Sequence, residues 1–312
     1  MSARVLLLLT NKPKRKQDCS LIKSGVLSVI YSVMLFNASA LANALGAKSK
    51  LELAAAEVAK QPALKGKLTQ GALLRGKLPA GSSVWLNGKE INILASGDFV
   101  LGFGRDAALA QELAWQLPGK ETRNQQSLAL VKREYNIQRI EGVASKYVSP
   151  PKDVLARIHE DNVQIASARA TSSKHSAFLS DFILPAKGTI SGVYGSQRVF
   201  NGQAKRPHFG LDIAGPVGTD IVAPVDGVVT LAHSDMYYSG GTLIIDHGLG
   251  VSSTFIHLSS IDVKRGDAVR QGQKIAEMGA TGRVTGPHLD WRINWFKERL
   301  DPALVVDVVD IE

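Results

Sequence analysis

The chain reads as a mainly β protein: a small β-sandwich domain, a helical connector and a second, nearly all-β domain. Three observations predict this. Short apolar runs alternate with turn residues over two long stretches, glycine is abundant at 29 of 312 residues, and only one stretch between them keeps a helical period. The length suits two domains with linkers. A hydrophobic content of 45% and a mean hydropathy of +0.01 exclude a disordered chain and a polytopic membrane protein.

The first 44 residues carry Arg4, Lys12, Lys14, Arg15, Lys16 and Lys23 against the single acid Asp18. A basic cluster, an apolar stretch at 25–36 and two small-residue sites, Ala38-Ser39-Ala40 and Ala42-Asn43-Ala44, form the layout of a secretory signal peptide. The apolar stretch falls short of the roughly 20 residues that span a bilayer, so cleavage is expected rather than a retained anchor. Residues 1–20 are unusual ahead of such a segment: either its basic region is long, or the true start lies further on. Cys19 is the only cysteine, which excludes an intramolecular disulfide. It does not follow an apolar run, as a lipoprotein cysteine would, and is read as incidental.

Without this segment the net charge falls from +9 to +4, with 31 basic and 27 acidic residues. No remaining stretch clusters Lys and Arg with interleaved aromatics, so nucleic acid is not an expected partner.

Residues 45–67 are a short helical or linker segment, with 51–60 as the candidate helix. Residues 68–148 form the small β-sandwich domain. Its apolar runs at 72–74, 84–86, 91–94, 99–103 and 113–117 are separated by Pro79-Ala80-Gly81, Asn87-Gly88, Ser96-Gly97-Asp98 and Pro118-Gly119. Asn-Gly between two such runs is a strong hairpin signal. No cluster of His, Cys or paired carboxylates appears there, so the expected role is structural or binding, with a carbohydrate- or wall-binding module still open.

Residues 149–176 follow as helical connector and linker. After Pro150-Pro151, the apolar positions Val154, Leu155, Ile158, Val163 and Ile165 keep a roughly helical period, and 171–176 is polar. The second domain, 177–312, starts near Phe178. Its short β-type runs are broken by glycines, and 242–245 with 252–256 predict a hairpin across 247–250.

Three segments of this domain bring His and Asp together. In Arg206-Pro207-His208-Phe209-Gly210-Leu211-Asp212, an extended backbone would put His208 and Asp212 on one face, and imidazole with carboxylate is a sound metal pair. His257 follows the apolar run Phe255-Ile256. In Gly286-Pro287-His288-Leu289-Asp290, His288 and Asp290 again share a strand face. Each segment alone is weak, because loops carry polar residues without chemistry. Together they make a candidate metal site with groups for acid–base work.

The first segment, followed by Gly218-Thr219 and Ala223-Pro224-Val225-Asp226-Gly227-Val228-Val229, resembles the H-x-x-x-D block of lysostaphin-type (LytM-like) zinc endopeptidases. The stretch 263–282 resembles the segment before that family's last motif, and Gly286-Pro287-His288-Leu289 resembles the opening of its H-x-H motif. The resemblance covers about residues 180–305. It implies an antiparallel β-sandwich peptidase domain, with His208 and Asp212 as Zn2+ ligands and His257 and His288 as catalytic histidines. The third ligand would be the second His of H-x-H, and this chain carries Asp290 there.

Aspartate is a competent zinc ligand, but a second carboxylate lowers the positive charge of the site, which should weaken both water acidification and carbonyl polarisation. Arg292 and Asn294 share the strand parity of Asp290 and could hold its carboxylate, while Trp291 and Trp295 fall on the opposite face. Tyr237 and Tyr238 are read as packing or rim residues. His233 is read as a strand-end residue and His247 as a hairpin-turn residue, and no chemistry is assigned to His159 or His175.

The resemblance implies hydrolysis of amide bonds in the peptide cross-links of peptidoglycan, in the periplasm. The alternative it leaves is a regulator that binds and activates a cell-wall amidase. Membrane contact is expected only through an uncleaved signal segment.

Overall fold

In the computed structural model, which describes residues 61–140 and 152–306, turn chemistry sets up the first β-domain. Strands β1 (Ala63–Lys65), β2 (Leu73–Lys77) and β5 (Asp98–Gly102) form one antiparallel sheet. Strands β3 (Ser83–Leu86), β4 (Lys89–Ile91), β6 (Ala110–Gln116) and β7 (Arg123–Ala129) form a second. Asn87 and Gly88 have φ of 50° and 77°, the positive values that a type I′ turn requires, and they join β3 to β4. Leu74, Val84, Phe99, Leu101 and Leu113 fill the space between the sheets with almost no exposure. Burial of each such side chain contributes roughly 1.5–3 kcal/mol. Gly76 is required here, since a Cβ at that position would lie 2.1 Å from the Phe99 ring.

Three strands depart from the sequence reading. In the run at 91–94 only Ile91 belongs to a strand, because β4 ends there and Ile93 makes a single bridge to Phe99. Strand β7 has no sequence signal, since only Leu128 of its seven residues is buried. Strand β8 (Ile137–Ile140) leaves the sandwich altogether and pairs in parallel with β10 (Gln197–Phe200) of the second domain. Leu73 and Val100 likewise pack into the second domain's core. The two β-domains therefore share a seam, and all the described residues lie in one compact unit. The signal-type region, Cys19 and the candidate helix at 51–60 lie outside the described residues.

The connector is α1 (Leu155–Arg169). Its apolar period docks it in part: Ile158 and Ile165 are half-buried, Ile165 against the core, whereas Leu155 and Val163 stay exposed and the fully buried positions are Asp161 and Ala168. Asp161 accepts the Tyr237 backbone N–H at 2.7 Å, and Ala168 packs with Leu231, Met236 and Ile244. The segment read as a polar linker is also anchored, with Ser173 donating to the Asp246 carboxylate and its carbonyl accepting from Leu249 N.

The second domain is one large sheet. It comprises β9 (Thr189–Gly192), β12 (Leu211–Ala214), β14 (Gly227–Met236), β15 (Gly240–Gly248), β16 (Val251–Ile261), β17 (Ala268–Val269) and β19 (His288–Trp295), in the order β17-β14-β15-β16-β19-β12-β9. Strands β13 (Asp220–Val222) and β18 (Lys274–Met278) pair with each other, and β18 also joins β16. The short strands β11 (Gln203–Ala204) and β20 (Glu298–Leu300) extend β10 and β19. Leu211, Ile213, Leu243, Phe255, Leu289, Trp291 and Ile293 are buried on the inner face and hold the central strands. The expected hairpin forms between β15 and β16, turning at Leu249 and Gly250, both at positive φ.

His247 lies inside β15 rather than in that turn, because the turn begins two residues later. It is fully buried, donates from Nδ1 to Asp226 O and accepts from Ser253 Oγ, each at 2.8 Å, with the Phe182 ring edge-on. Burial pushes its imidazole down to about 4, with the Asp226 carbonyl only partly opposing. Folding thus favours neutral His247, so its contribution is present above the ordinary pKa of 6.5 and lost as pH falls towards about 4. That loss should reach about 3 kcal/mol. Denaturant unfolding across this window should show a shallower pH slope for His247→Gln than for the wild type; parallel slopes would contradict the assignment.

Candidate metal centre

Two carboxylates meet across neighbouring strands. Pairing of β12 with β19 sets Asp212 directly opposite Asp290, with Leu211 opposite Trp291 and Ile213 opposite Leu289. Alternation then separates the faces, so the apolar residues enter the core while both aspartates share the other side. Like charges directly opposite each other are destabilising. The surroundings must therefore supply positive charge.

Part of it comes from Arg292, two residues along the same face. Its Nε and Nη2 donate to the two Asp290 oxygens at 2.9 and 2.5 Å. Burial alone would raise the Asp290 carboxyl, but the guanidinium more than offsets this and holds it below the usual range. Arg292 thus restores the positive charge that an aspartate in place of a histidine removes, which answers the expectation of a less positive site. Asn294 serves elsewhere, accepting from Arg299 and donating to Thr254. Trp291 is fully buried on the inner face, as its parity requires.

His208 reaches the same place from an irregular segment ahead of β12 rather than from an extended strand. Its backbone is fixed by His208 N–H to Ser196 O and Gly195 N–H to His208 O, both 2.8 Å. Its Nε2 lies 3.2 Å from Asp212 Oδ1, an ion pair when the imidazole is protonated, and both atoms are buried with no hydrogen bond that meets normal geometry. Burial lowers the His208 pKa, but Asp212 and Asp290 together carry it above the ordinary value. Ligand atoms of His208, Asp212 and Asp290 all lie within 4.8 Å of one another.

Two glycines leave room for the carboxylates. A Cβ at Gly192 would lie 2.2 Å from Asp212 Oδ2, and one at Gly210 would lie 2.0 Å from Asp290 Oδ1. Two buried atoms without hydrogen-bond partners, converging with a second carboxylate, fit a divalent cation. Each Asp290 oxygen keeps a lone pair after serving Arg292. A His and two carboxylates are ligands that Zn2+ accepts.

The other two histidines stand side by side, with ring centroids 4.9 Å apart. His257 is the extra residue of a β-bulge, since Thr242 pairs with Ile256 and Gly241 with Leu258. Its φ of 70° is strained for a side-chain-bearing residue, and it is held by His257 N–H to Ser239 O at 2.8 Å. Nδ1 of His257 faces Thr281 O and Nδ1 of His288 faces Gly286 O, each at 2.9 Å. A carbonyl only accepts, so both Nδ1 atoms carry the proton and both Nε2 atoms remain for chemistry. Burial lowers the His257 pKa, favouring the neutral base.

The remaining sequence candidates have contacts of their own. His233 Nδ1 accepts from Asp235 N–H. Tyr237 and Tyr238 pack against each other at 4.8 Å, with Arg283 over Tyr238. Sequence reasoning missed the carbonyls of Thr281 and Gly286 and the space left at Gly192 and Gly210, because backbone acceptors and missing side chains leave no pattern of their own.

Residues 206–302 match Peptidase family M23. Peptidoglycan DD-endopeptidase ShyA of Vibrio cholerae is 34% identical over 152 residues, which is 48% of this chain and 34% of that protein. DD-carboxypeptidase/endopeptidase Mpg of Neisseria meningitidis is 43% identical over 100 residues, 32% of this chain and 23% of that protein. The chain thus spans about a third or less of the length of these curated relatives. A crystal structure described as a putative peptidase M23 from Pseudomonas aeruginosa aligns with TM-score 0.62 at 27% identity, over 78% of this chain and 96% of that one.

Removing the counter-charge tests the electrostatics. Arg292→Met should cost metal-free protein about 3 kcal/mol in denaturant unfolding, because it leaves a buried carboxylate unpaired. Asp290→Asn added to it should recover part of that loss. A single-variant loss below about 1 kcal/mol would show that Asp290 does not depend on the guanidinium.

Proposed function

We propose that this chain, whose residues 206–302 are a peptidase family M23 domain, is an exported zinc metallo-endopeptidase that hydrolyses amide bonds in peptidoglycan stem-peptide cross-links. One observation carries the reading: buried His208 Nε2 and Asp212 Oδ1, which lack hydrogen-bond partners and face each other at 3.2 Å, converge with Asp290 beside two imidazoles held through Nδ1. The names of ShyA and Mpg support an amide of the peptide cross-link as the substrate. The signal-type pattern in the first 44 residues supports delivery to the periplasm.

His208, Asp212 and Asp290 would hold Zn2+. Bound there, the ion would supply an acidified water and a Lewis acid for the amide carbonyl. The chain's own residues do the rest. Thr281 O and Gly286 O lock the tautomers of His257 and His288. His257, kept neutral by burial, takes a proton at Nε2. The proton that His257 takes up then goes to the leaving amine, and His288, whose ring lies against it, can relay it at Nε2. Arg292 keeps Asp290 ionised and aimed, so the third ligand keeps its charge in a buried setting.

A second reading has its own support. Both Asp290 oxygens are engaged by Arg292, which suits a groove that binds and activates a cell-wall amidase without turnover.

Digestion of purified peptidoglycan separates the two. The wild type should contain one zinc per chain and release muropeptides unaided, and His208→Ala should lose both properties. His257→Ala should keep the zinc while losing at least about 100-fold in rate. Metal-free wild type that releases nothing, yet accelerates an added amidase, would overturn the enzyme in favour of the regulator.

A further inference from the structure

The sandwich domain carries a buried arginine that the proposed chemistry does not use. Arg105 is only 9% exposed, and its Nε donates to Gly195 O at 2.9 Å. Its Nη1 reaches Asp106 at 2.7 Å, and its guanidinium lies 4.3 Å from the centroid of Tyr135, whose hydroxyl donates to Arg105 O. Burying an arginine is costly unless its donors are used. Here Nη1 is used on the adjacent Asp106, and Nε on one residue of the other β-domain.

Gly195 is that residue, and it is tied to His208. Its N–H donates to His208 O, and His208 N–H donates to the next carbonyl, Ser196 O. Gly195 has φ of 87°, and a Cβ there would lie 2.0 Å from the Tyr135 ring, so the ring rests directly on its backbone. A second line of contact runs beside the first. Tyr135 meets Tyr194 edge-on at 6.2 Å, and Tyr194 meets Phe209, the neighbour of His208, at 6.3 Å. Parallel pairing of β8 with β10, together with Gln197 N–H to Asn136 O, fixes the strand that follows from the same side.

We propose that Arg105 and Tyr135 are positioning residues of the metal site: they clamp Gly195 from the sandwich domain and thereby set the backbone from which His208 projects. The inference rests on the reading of His208 as a metal ligand. Its consequence is that the sandwich domain forms part of the site, though it contributes no ligand. Partners lying behind a ligand typically change metal affinity by 10–100-fold when removed.

The test measures Zn2+ affinity of the full chain by competition with a chromogenic chelator, and the visible absorption of the Co2+-loaded protein. Arg105→Ala should weaken Zn2+ at least about 10-fold and alter the Co2+ bands while the melting temperature shows a folded protein. Arg105→Lys, which keeps one donor for Gly195 O, should recover most of the affinity. Arg75→Ala is the control, because Arg75 makes comparable bonds across the same seam, to Phe178 O and Ser180 O, away from Gly195. It should leave Zn2+ affinity within about two-fold, well inside the range for a partner removed from behind a ligand. Should Arg105→Ala not fold, Tyr135→Leu strips the ring from Gly195 and carries the same expectation. Unchanged affinity in the Arg105 or Tyr135 variant, or an equal loss in Arg75→Ala, would overturn the clamp. His208→Ala that still binds Zn2+ would instead overturn the ligand reading on which the clamp stands.

Discussion

Asp212 faces Asp290 across paired strands, and much of the second domain is arranged around that juxtaposition. Two carboxylates in that position repel unless positive charge is supplied. Arg292 supplies it from one side, and the raised pKa of His208 marks the same demand from another. Gly192 and Gly210 are bare because the carboxylates occupy the space where their side chains would lie. The apolar partners in the same register, Leu211 with Trp291 and Ile213 with Leu289, hold the two strands so that neither aspartate can turn away. A one-residue slip of either strand would turn its carboxylate into the core. The register thus sets both the packing and the chemistry.

Much of this was legible in the sequence, for identifiable reasons. Strand parity separates Asp290 and Arg292 from Trp291, and the structure keeps that separation. Asn-Gly marks the β3–β4 turn, since few other pairs accept two positive φ values. What was not legible depends on contacts between distant segments. Strand β7 is polar on its exposed positions and acquires its identity only by pairing with β6. The docking of α1 runs through Ile165 and Ala168, and also through Asp161 and a backbone amide, which an apolar period cannot announce. His247 sits in a glycine-bounded segment that reads as turn, while its burial comes from Phe182 and the adjoining strands. The extended backbone expected from His208 to Asp212 is replaced by an irregular approach fixed by Gly195 and Ser196.

The seam between the two β-domains has a consequence for the whole chain. Arg75, Arg105 and Arg133 each cross it to a backbone or carboxylate acceptor, Arg133 by an ion pair with Asp301 at 2.7 Å. Strand β8 crosses it as well. A sandwich without catalytic residues of its own is thereby joined to the segment that carries the first proposed ligand. Domain boundaries drawn from composition divide what hydrogen bonding and packing unite.

The central claim is a cation held by one imidazole and two carboxylates. X-ray absorption fine structure at the zinc edge of the loaded full-length protein tests it most directly, because outer-shell scattering counts imidazoles. The account predicts a first shell of nitrogen and oxygen with the signature of a single histidine, His208. Two or more imidazoles, with His257 or His288 taking the place of Asp290, would contradict it.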